Sequence, residues 1–228
     1  MFKKAKVSAS IYATDWQNEN ALKQSVLELE KAQVDFVHFD VCDGKFVEQT
    51  TFDYNLLKKL KTFTTLGLDV HLMVQDPQMV VEEYIKQKPS ILTIHFEAMN
   101  DKSKLVDLLK QIKMAGIRSG LSICPTTNLA EITPLLKENE EQCFLDLVLV
   151  MSVVPGKSGQ KFIEGSEDRI RAISEFKNIV VEVDGGVTEK NAKKLRNAGA
   201  DILVSGSTIF ASNNMTKTVK KLKGGFLI

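Results

Sequence analysis

"VHFDVCDG", residues 37–44, sets a histidine and an aspartate two apart inside an apolar run, then closes on a second aspartate and a glycine. A spacing of two is the period of a β-strand, so His38 and Asp40 project to one face. A polar pair in a strand costs desolvation free energy unless hydrogen bonds or a cation compensate it. The stretch therefore raises the question of which fold gives work to the end of such a strand.

Outward from it, seven further short runs rich in Val, Ile and Leu follow the same design: "KVSASI" (6–11), "LDVHLMV" (68–74), "ILTIHF" (91–96), "RSGLSI" (118–123), "LDLVLVM" (145–151), "IVVEVD" (179–184) and "ILVSG" (202–206). Helical patterns separate them, among them 21–32, 54–61, 77–87, 102–116, 129–138, 167–176 and 189–199, and a last one lies at 215–223. Eight strand–helix cycles match an α/β fold of the (β/α)8 TIM-barrel type, for which ~250 residues is typical. A doubly wound parallel sheet is the alternative. No linker or low-complexity stretch divides the chain, so residues 1–228 are expected to form a single domain.

Composition excludes several classes. Thirty basic against twenty-nine acidic residues give a formal charge of +1, so no overall field draws the chain to nucleic acid or to an anionic membrane. No apolar run approaches the roughly 20 residues of a membrane span, and a cytoplasmic location is expected. Cys42, Cys124 and Cys143 are odd in number and form no CxxC pair, which favours free thiols.

A barrel places its active site where strands end, and the unusual polar residues fall there. His38 and Asp40 close the second strand, Asp69, His71 and Met73 share a face of the third, and Asp184 ends the seventh. Taken singly, each is most often a structural polar group. Together, His38, Asp40, His71 and Asp184 make a set of two imidazoles and two carboxylates suited to one divalent ion, Zn, Fe, Mn or Co. His95, one strand further round, is read as a support or a structural residue and is left outside the metal set. Glycine turns form a second constellation: "SVVPGKSGQKF" (152–162), "DGGV" (184–187) and "SGS" (205–207) follow strands six, seven and eight, where barrels often bind phosphate on backbone amides. The fold is thus a barrel of the phosphate-binding type.

"VHFDVCDGKFV", "LDVHLMV", "VMSVVPGKSGQKFI", "VEVDGGV" and "ADILVSGSTIF", in this order over almost the whole chain, resemble the ribulose-phosphate 3-epimerase family. The resemblance implies C3 epimerisation of a ketose phosphate, D-ribulose 5-phosphate to D-xylulose 5-phosphate in the pentose phosphate pathway, through a metal-stabilised enediolate. It implies Asp40 and Asp184 as the acid/base pair, one abstracting the proton and the other returning one from the opposite face. It further implies substrate contacts at Ser10, His71, Met73 and Met151, a phosphate site at Gly156, Ser158, Gly159, Gly185, Gly186, Gly206 and Ser207, and assembly as a homo-oligomer, a dimer or a hexamer.

The chain departs from the family pattern around the pocket. Cys42 stands where methionine is usual, and Lys157 and Ser158 replace the "FG" of "PGFGGQ". "KFVEQTTFDY" (45–54) replaces "HFVPNITFGP", and Ala9 and Tyr12 replace a common Pro and Leu. These changes touch substrate identity more than reaction type. Another ketose phosphate, such as allulose 6-phosphate, and a non-catalytic barrel that binds a sugar phosphate are the alternative readings.

Overall fold

The computed structural model describes residues 3–157 and 159–225. Eight parallel strands close into a barrel in sequence order: β1 (Lys6–Ser10), β2 (Phe36–Cys42), β3 (Gly67–Met73), β4 (Ile91–His95), β5 (Arg118–Ile123), β6 (Leu147–Met151), β7 (Val180–Asp184) and β8 (Ile202–Ser205). Closure rests on β1 pairing with β8, Lys6 opposite Ile202 and Ala9 opposite Ser205. An open doubly wound sheet has no such pairing, so that alternative falls.

The helices are α1 (Glu19–Lys31), α2 (Tyr54–Leu60), α3 (Val81–Lys86), α4 (Lys102–Met114), α5 (Leu129–Gln142), α6 (Ser166–Ser174), α7 (Ala192–Ala198), α8 (Ser207–Phe210) and α9 (Met215–Lys223). Side-chain oxygens of Asn18, Asp53, Asp101 and Asn128 cap α1, α2, α4 and α5 by accepting from amides in the first turn, each contribution typically about 1 kcal/mol. No helix of the described residues is long and apolar enough to cross a membrane.

Beyond helix ends that shift by up to four residues, as where α5 runs on to Gln142, the structure departs from the sequence expectation in three places. The pattern at 77–87 splits into a 3-10 turn at Pro77–Met79 and the short α3, because Val80 leaves helical geometry at φ −120°. The pattern at 189–199 begins its helix only at Ala192: the Asn191 side chain accepts from the Thr188 amide and donates to the Gly186 carbonyl, which holds the preceding residues in a turn. The eighth cycle carries an extra one-turn helix, α8, directly after Gly206.

Inside the barrel the register stacks side chains in tiers, successive tiers drawn from alternate strands. Phe36, Ile91, Leu147 and Ile202, from the even-numbered strands, pack together as an apolar floor. Above them the odd strands contribute Ser8, Asp69, Gly120 and Glu182, in register with that floor. Gly120 is required there, since a Cβ would lie 2.1 Å from the Thr93 hydroxyl. His38 and Thr93 follow, and then Ser10, His71 and Asp184 at the mouth. A polar column thus rises from an apolar base toward the C-terminal ends of the strands.

Candidate active site

At the mouth, four donor atoms converge. His38 Nε2 lies 3.2 Å from Asp40 Oδ1 and 3.8 Å from Asp184 Oδ2, and His71 Nδ1 lies 3.4 Å and 3.9 Å from the same two oxygens. The ligand atoms of all four residues fall within 4.8 Å of one another. Strand register produces this: His38 stands opposite Asp69 and Asp40 opposite His71, so β2 and β3 deliver alternating imidazole and carboxylate, while β7 brings Asp184 from across the barrel.

The two carboxyl groups are shifted in opposite directions. Burial pushes Asp40 up, but the neighbouring His38 and His71 imidazoles outweigh it and hold Asp40 well below the usual carboxylate range. Burial, reinforced by the charge on Asp40, pushes Asp184 up to about 7. Burial disfavours the charged form of His38, yet Asp40 and Asp69 more than offset it and raise its pKa, whereas burial dominates at His71 and lowers it. Of the two adjacent carboxyls, Asp184 therefore holds a proton to higher pH than Asp40.

The donor set fits a divalent cation. His38 Nδ1 meets Asp69 Oδ2 at 2.7 Å, and that oxygen also accepts from Ser8 Oγ at 2.6 Å. With Nδ1 committed to donating, His38 Nε2 is left fully buried with no hydrogen-bond partner, facing two carboxylate oxygens. A buried nitrogen in that position is satisfied by a proton or by a metal ion.

A cleft of about 390 Å3 opens above this cluster. Its walls include Ser10, Asp40, Met73, Met151, Gly156, Gly159, Asp184, Gly185, Gly186, Gly206 and Ser207, which the sequence had picked out. Ser10 Oγ donates to Asp40 Oδ2 at 2.7 Å, so it orients that carboxylate as well as facing the cleft. His38 and His71 are fully buried beneath the walls. Ser158 lies outside the described residues.

The glycine turns at the far end of the cleft are held by side chains. Ser152 Oγ donates to the carbonyls of Asp184 and Gly185, and Ser205 Oγ and Thr208 Oγ1 donate to that of Val187. Gly186 has φ +62°, and a Cβ there would lie 2.4 Å from the Phe162 amide nitrogen, so only glycine fits. Tyr12, which the sequence had marked as a departure around the pocket, also lines the cleft, and so do Lys161, Thr188 and Asn191, which were missed because ordinary residue types in loops carry no periodic signal.

Around the imidazoles, sequence reasoning read His95 as a support or a structural residue and passed over Glu182 and Glu97. Glu182 is fully buried near Asp69 and His38, and burial together with the charge on Asp69 raises its pKa well above the usual range. His95 Nε2 meets His71 Nε2 at 2.9 Å, and His95 Nδ1 meets Glu97 Oε2 at 2.9 Å. The period of two in "IHFEA" pairs His95 with Glu97 and was the available signal.

A closed parallel eight-stranded barrel with a buried two-imidazole, two-carboxylate cluster below a glycine-walled cleft defines a (β/α)8 barrel whose polar groups gather at the mouth. The profile of the ribulose-phosphate 3 epimerase family matches residues 6–210, and the chain belongs to that family. A ribulose-phosphate 3-epimerase of Aquifex aeolicus is 32% identical over 222 residues, covering 95% of each chain. The chloroplastic ribulose-5-phosphate-3-epimerase of Arabidopsis thaliana is 36% identical over 225 residues, covering 95% of this chain and 75% of the relative. Among solved structures, the 3-keto-L-gulonate-6-phosphate decarboxylase of Vibrio cholerae superposes with a TM-score of 0.71 at 8% identity, over 97% of this chain and 96% of the other; that likeness concerns the fold. The relatives place the chain among isomerase-class enzymes acting as epimerases.

Proposed function

We propose that the protein interconverts D-ribulose 5-phosphate and D-xylulose 5-phosphate by proton transfer at C3, with Asp40 and Asp184 as the acid/base pair. The observation that carries this reading is geometric: Asp40 on β2 and Asp184 on β7 each place an oxygen within 3.9 Å of both His38 and His71 and line the same cleft. Epimerisation needs one ionised carboxylate to accept the C3 proton and one protonated carboxyl to return a proton to the other face. Asp40, held ionised, accepts; Asp184 donates, and the reverse reaction exchanges their parts.

His38, Asp40, His71 and Asp184 would hold a divalent ion, and such an ion would supply Lewis-acid stabilisation of developing negative charge. The protein's own side chains do the rest. Met73 and Met151 wall the cleft beside the carboxyls with apolar, polarizable surface that keeps water from the reacting carbon. Ser10 fixes the Asp40 carboxylate, and the turns at Gly156, Gly159, Gly185–Gly186 and Gly206–Ser207 offer backbone to the phosphate. The ion is taken to be Zn, Fe, Mn or Co, since imidazole and carboxylate donors accept each of them. Assembly as a dimer or hexamer belongs to this reading through the family, and light scattering distinguishes the two.

One observation favours a second reading. Tyr12, where the family pattern has leucine, lines the cleft and lies close enough to Cys42 and Asp40 for their charges to raise its pKa further after burial has done so. A phenol in the wall changes what the far end of the sugar meets, which favours a different ketose phosphate. Both readings are tested by incubating the metal-analysed protein in deuterated water with D-ribulose 5-phosphate and, separately, allulose 6-phosphate, following deuterium at C3 by NMR. A far higher kcat/KM on the pentulose phosphate supports the first reading. Preference for the hexulose phosphate moves the protein to the second, and no exchange with either refutes both.

A further inference from the structure

His95, Glu97 and Cys124 form a second group of metal-type donors within 4.8 Å of one another. Its hydrogen bonds are already complete. Glu97 Oε1 accepts from the Cys124 amide at 2.7 Å and from the Thr127 hydroxyl, and Oε2 faces His95 Nδ1 at 2.9 Å. Unlike His38 Nε2, neither the carboxylate of Glu97 nor the ring nitrogens of His95 lack a partner. A site waiting for a cation has bare donors, and this one has none among them.

The same contacts fix a direction. A carboxylate that takes two donors on Oε1 is an acceptor throughout, so the proton between Glu97 and His95 sits on His95 Nδ1. Neutral His95 then presents a bare Nε2 to His71. The 2.9 Å contact between the two Nε2 atoms, in rings tilted by only 27°, needs one proton, which His71 supplies. His71 Nδ1, 3.4 Å from Asp40 Oδ1 and 3.9 Å from Asp184 Oδ2, is thereby left without a proton and meets Asp40 lone pair to lone pair, a contact that a cation between them completes.

We propose that Glu97 and His95 are positioning residues which, by this chain of hydrogen bonds, lock His71 in the tautomer that offers Nδ1 to a divalent cation. Asp69 does the same for His38 without an intermediary. The inference rests on the reading that His38, Asp40, His71 and Asp184 hold such an ion. Phe46, whose ring centroid lies 4.6 Å from that of His95, covers the relay from the loop after β2.

The test uses Glu97→Gln. The amide oxygen keeps the Cys124 and Thr127 donors, so the amide nitrogen faces His95 and reverses every bond in the chain. The protein has three histidines, all in this region, so histidine labelled with nitrogen-15 reports each ring separately in metal-free protein. Wild type is expected to show protonated Nδ1 on His95 and protonated Nε2 on His71, and E97Q the opposite for both. Zn2+ affinity, read by chelator competition, should fall about 10- to 100-fold in E97Q and in His95→Phe. The double variant should bind no more weakly than H95F alone, because Glu97 acts through His95. Thermal unfolding of metal-free E97Q checks that the fold is intact.

Unchanged tautomers and affinity in E97Q, or effects of E97Q and H95F that multiply, overturn the relay. So does a second Zn2+ in wild type that E97Q removes, which would make the cluster a metal site. Wild type that binds no divalent ion overturns the cation reading beneath it, a result distinct from one-ion binding that ignores Glu97.

Discussion

The two ends of the cleft are built from different material. At the reacting end, His38, Asp40, His71 and Asp184 stand on strands, their spacing fixed by a period of two and by barrel register. At the far end, Gly156, Gly159 and Gly185–Gly186 belong to turns with positive φ angles, Gly206–Ser207 open the one-turn α8, and hydroxyls of Ser152, Ser205 and Thr208 clamp carbonyls. The difference separates what mutations do. A strand-borne polar group can be replaced isosterically without moving the backbone, so its loss falls on chemistry; a turn glycine cannot be replaced without moving the backbone, so its loss falls on binding and stability together.

The largest effect is expected at the reacting end. Asp184→Asn keeps shape and removes proton transfer, so kcat for epimerisation should fall by about 10²- to 10⁴-fold, with circular dichroism unchanged and KM little altered. Asp40→Asn should do the same. Retention of more than a tenth of wild-type turnover in either variant would remove the two-carboxylate assignment. His71→Ala should lower bound divalent metal, measured by elemental analysis, and activity in parallel. Full activity after verified metal removal would break that link and leave the strand end as acid/base machinery alone.

The same contrast explains how much was legible beforehand. Period-two spacing in "VHFDV" and "LDVHLM", with strand ends as the place where barrels do chemistry, sufficed to assemble His38, Asp40, His71 and Asp184, and the structure brings them together. The eight strands were legible for the same reason, since runs buried on both faces are nearly continuous in Val, Ile and Leu. Asp69 was placed on the inner face of β3 by the same spacing, but its bond to His38 was not legible, nor were Glu182 and Glu97, because a residue that supports a ligand looks in sequence like any other polar residue of a strand or loop. Lys161 and Asn191 reach the cleft from loops, where position depends on turn geometry that spacing does not encode. The late start of α7 came from one side chain, Asn191, bonding to Thr188 and Gly186.

At the glycine end, Gly186→Ala sharpens the comparison. An alanine at φ +62° costs roughly 1–2 kcal/mol for backbone conformation alone, and its Cβ would press on the Phe162 amide. The expected outcome is a lower unfolding midpoint and a raised KM, with kcat less affected than in D184N. A variant with normal stability and affinity but lost turnover would erase the distinction between the two ends.

A smaller effect is expected in the pH dependence of metal-free stability. Asp184 titrates near 7 in the folded protein, raised by burial and by Asp40, against about 3.9 for an unperturbed aspartate. Folding therefore takes up a proton between those values. The contribution is fully present below the unfolded value and is lost as pH rises through about 7. D184N should flatten this part of the unfolding-midpoint curve between about pH 5 and 7. If D184N and wild type fall in parallel, Asp184 is ionised throughout and cannot be the proton donor.

The smallest effect belongs to the rim, where two departures from the family pattern meet. Glu48 and Lys157 lie 3.6 Å apart, and both are largely exposed, at 85% and 61% of the side chain. An exposed pair contributes typically about 0.2–1 kcal/mol and is screened by salt, so Glu48→Gln should leave the unfolding midpoint unchanged. Lys157 also lines the cleft, and there its charge is not tied to Glu48 alone. Lys157→Ala should raise KM for a phosphorylated substrate by at most about fivefold, the scale of an exposed charge pair, and the increase should shrink at high ionic strength. An effect on KM that persists in salt would mean a desolvated lysine–phosphate contact, and the far end of the cleft would then owe its affinity to a side chain as much as to its turns.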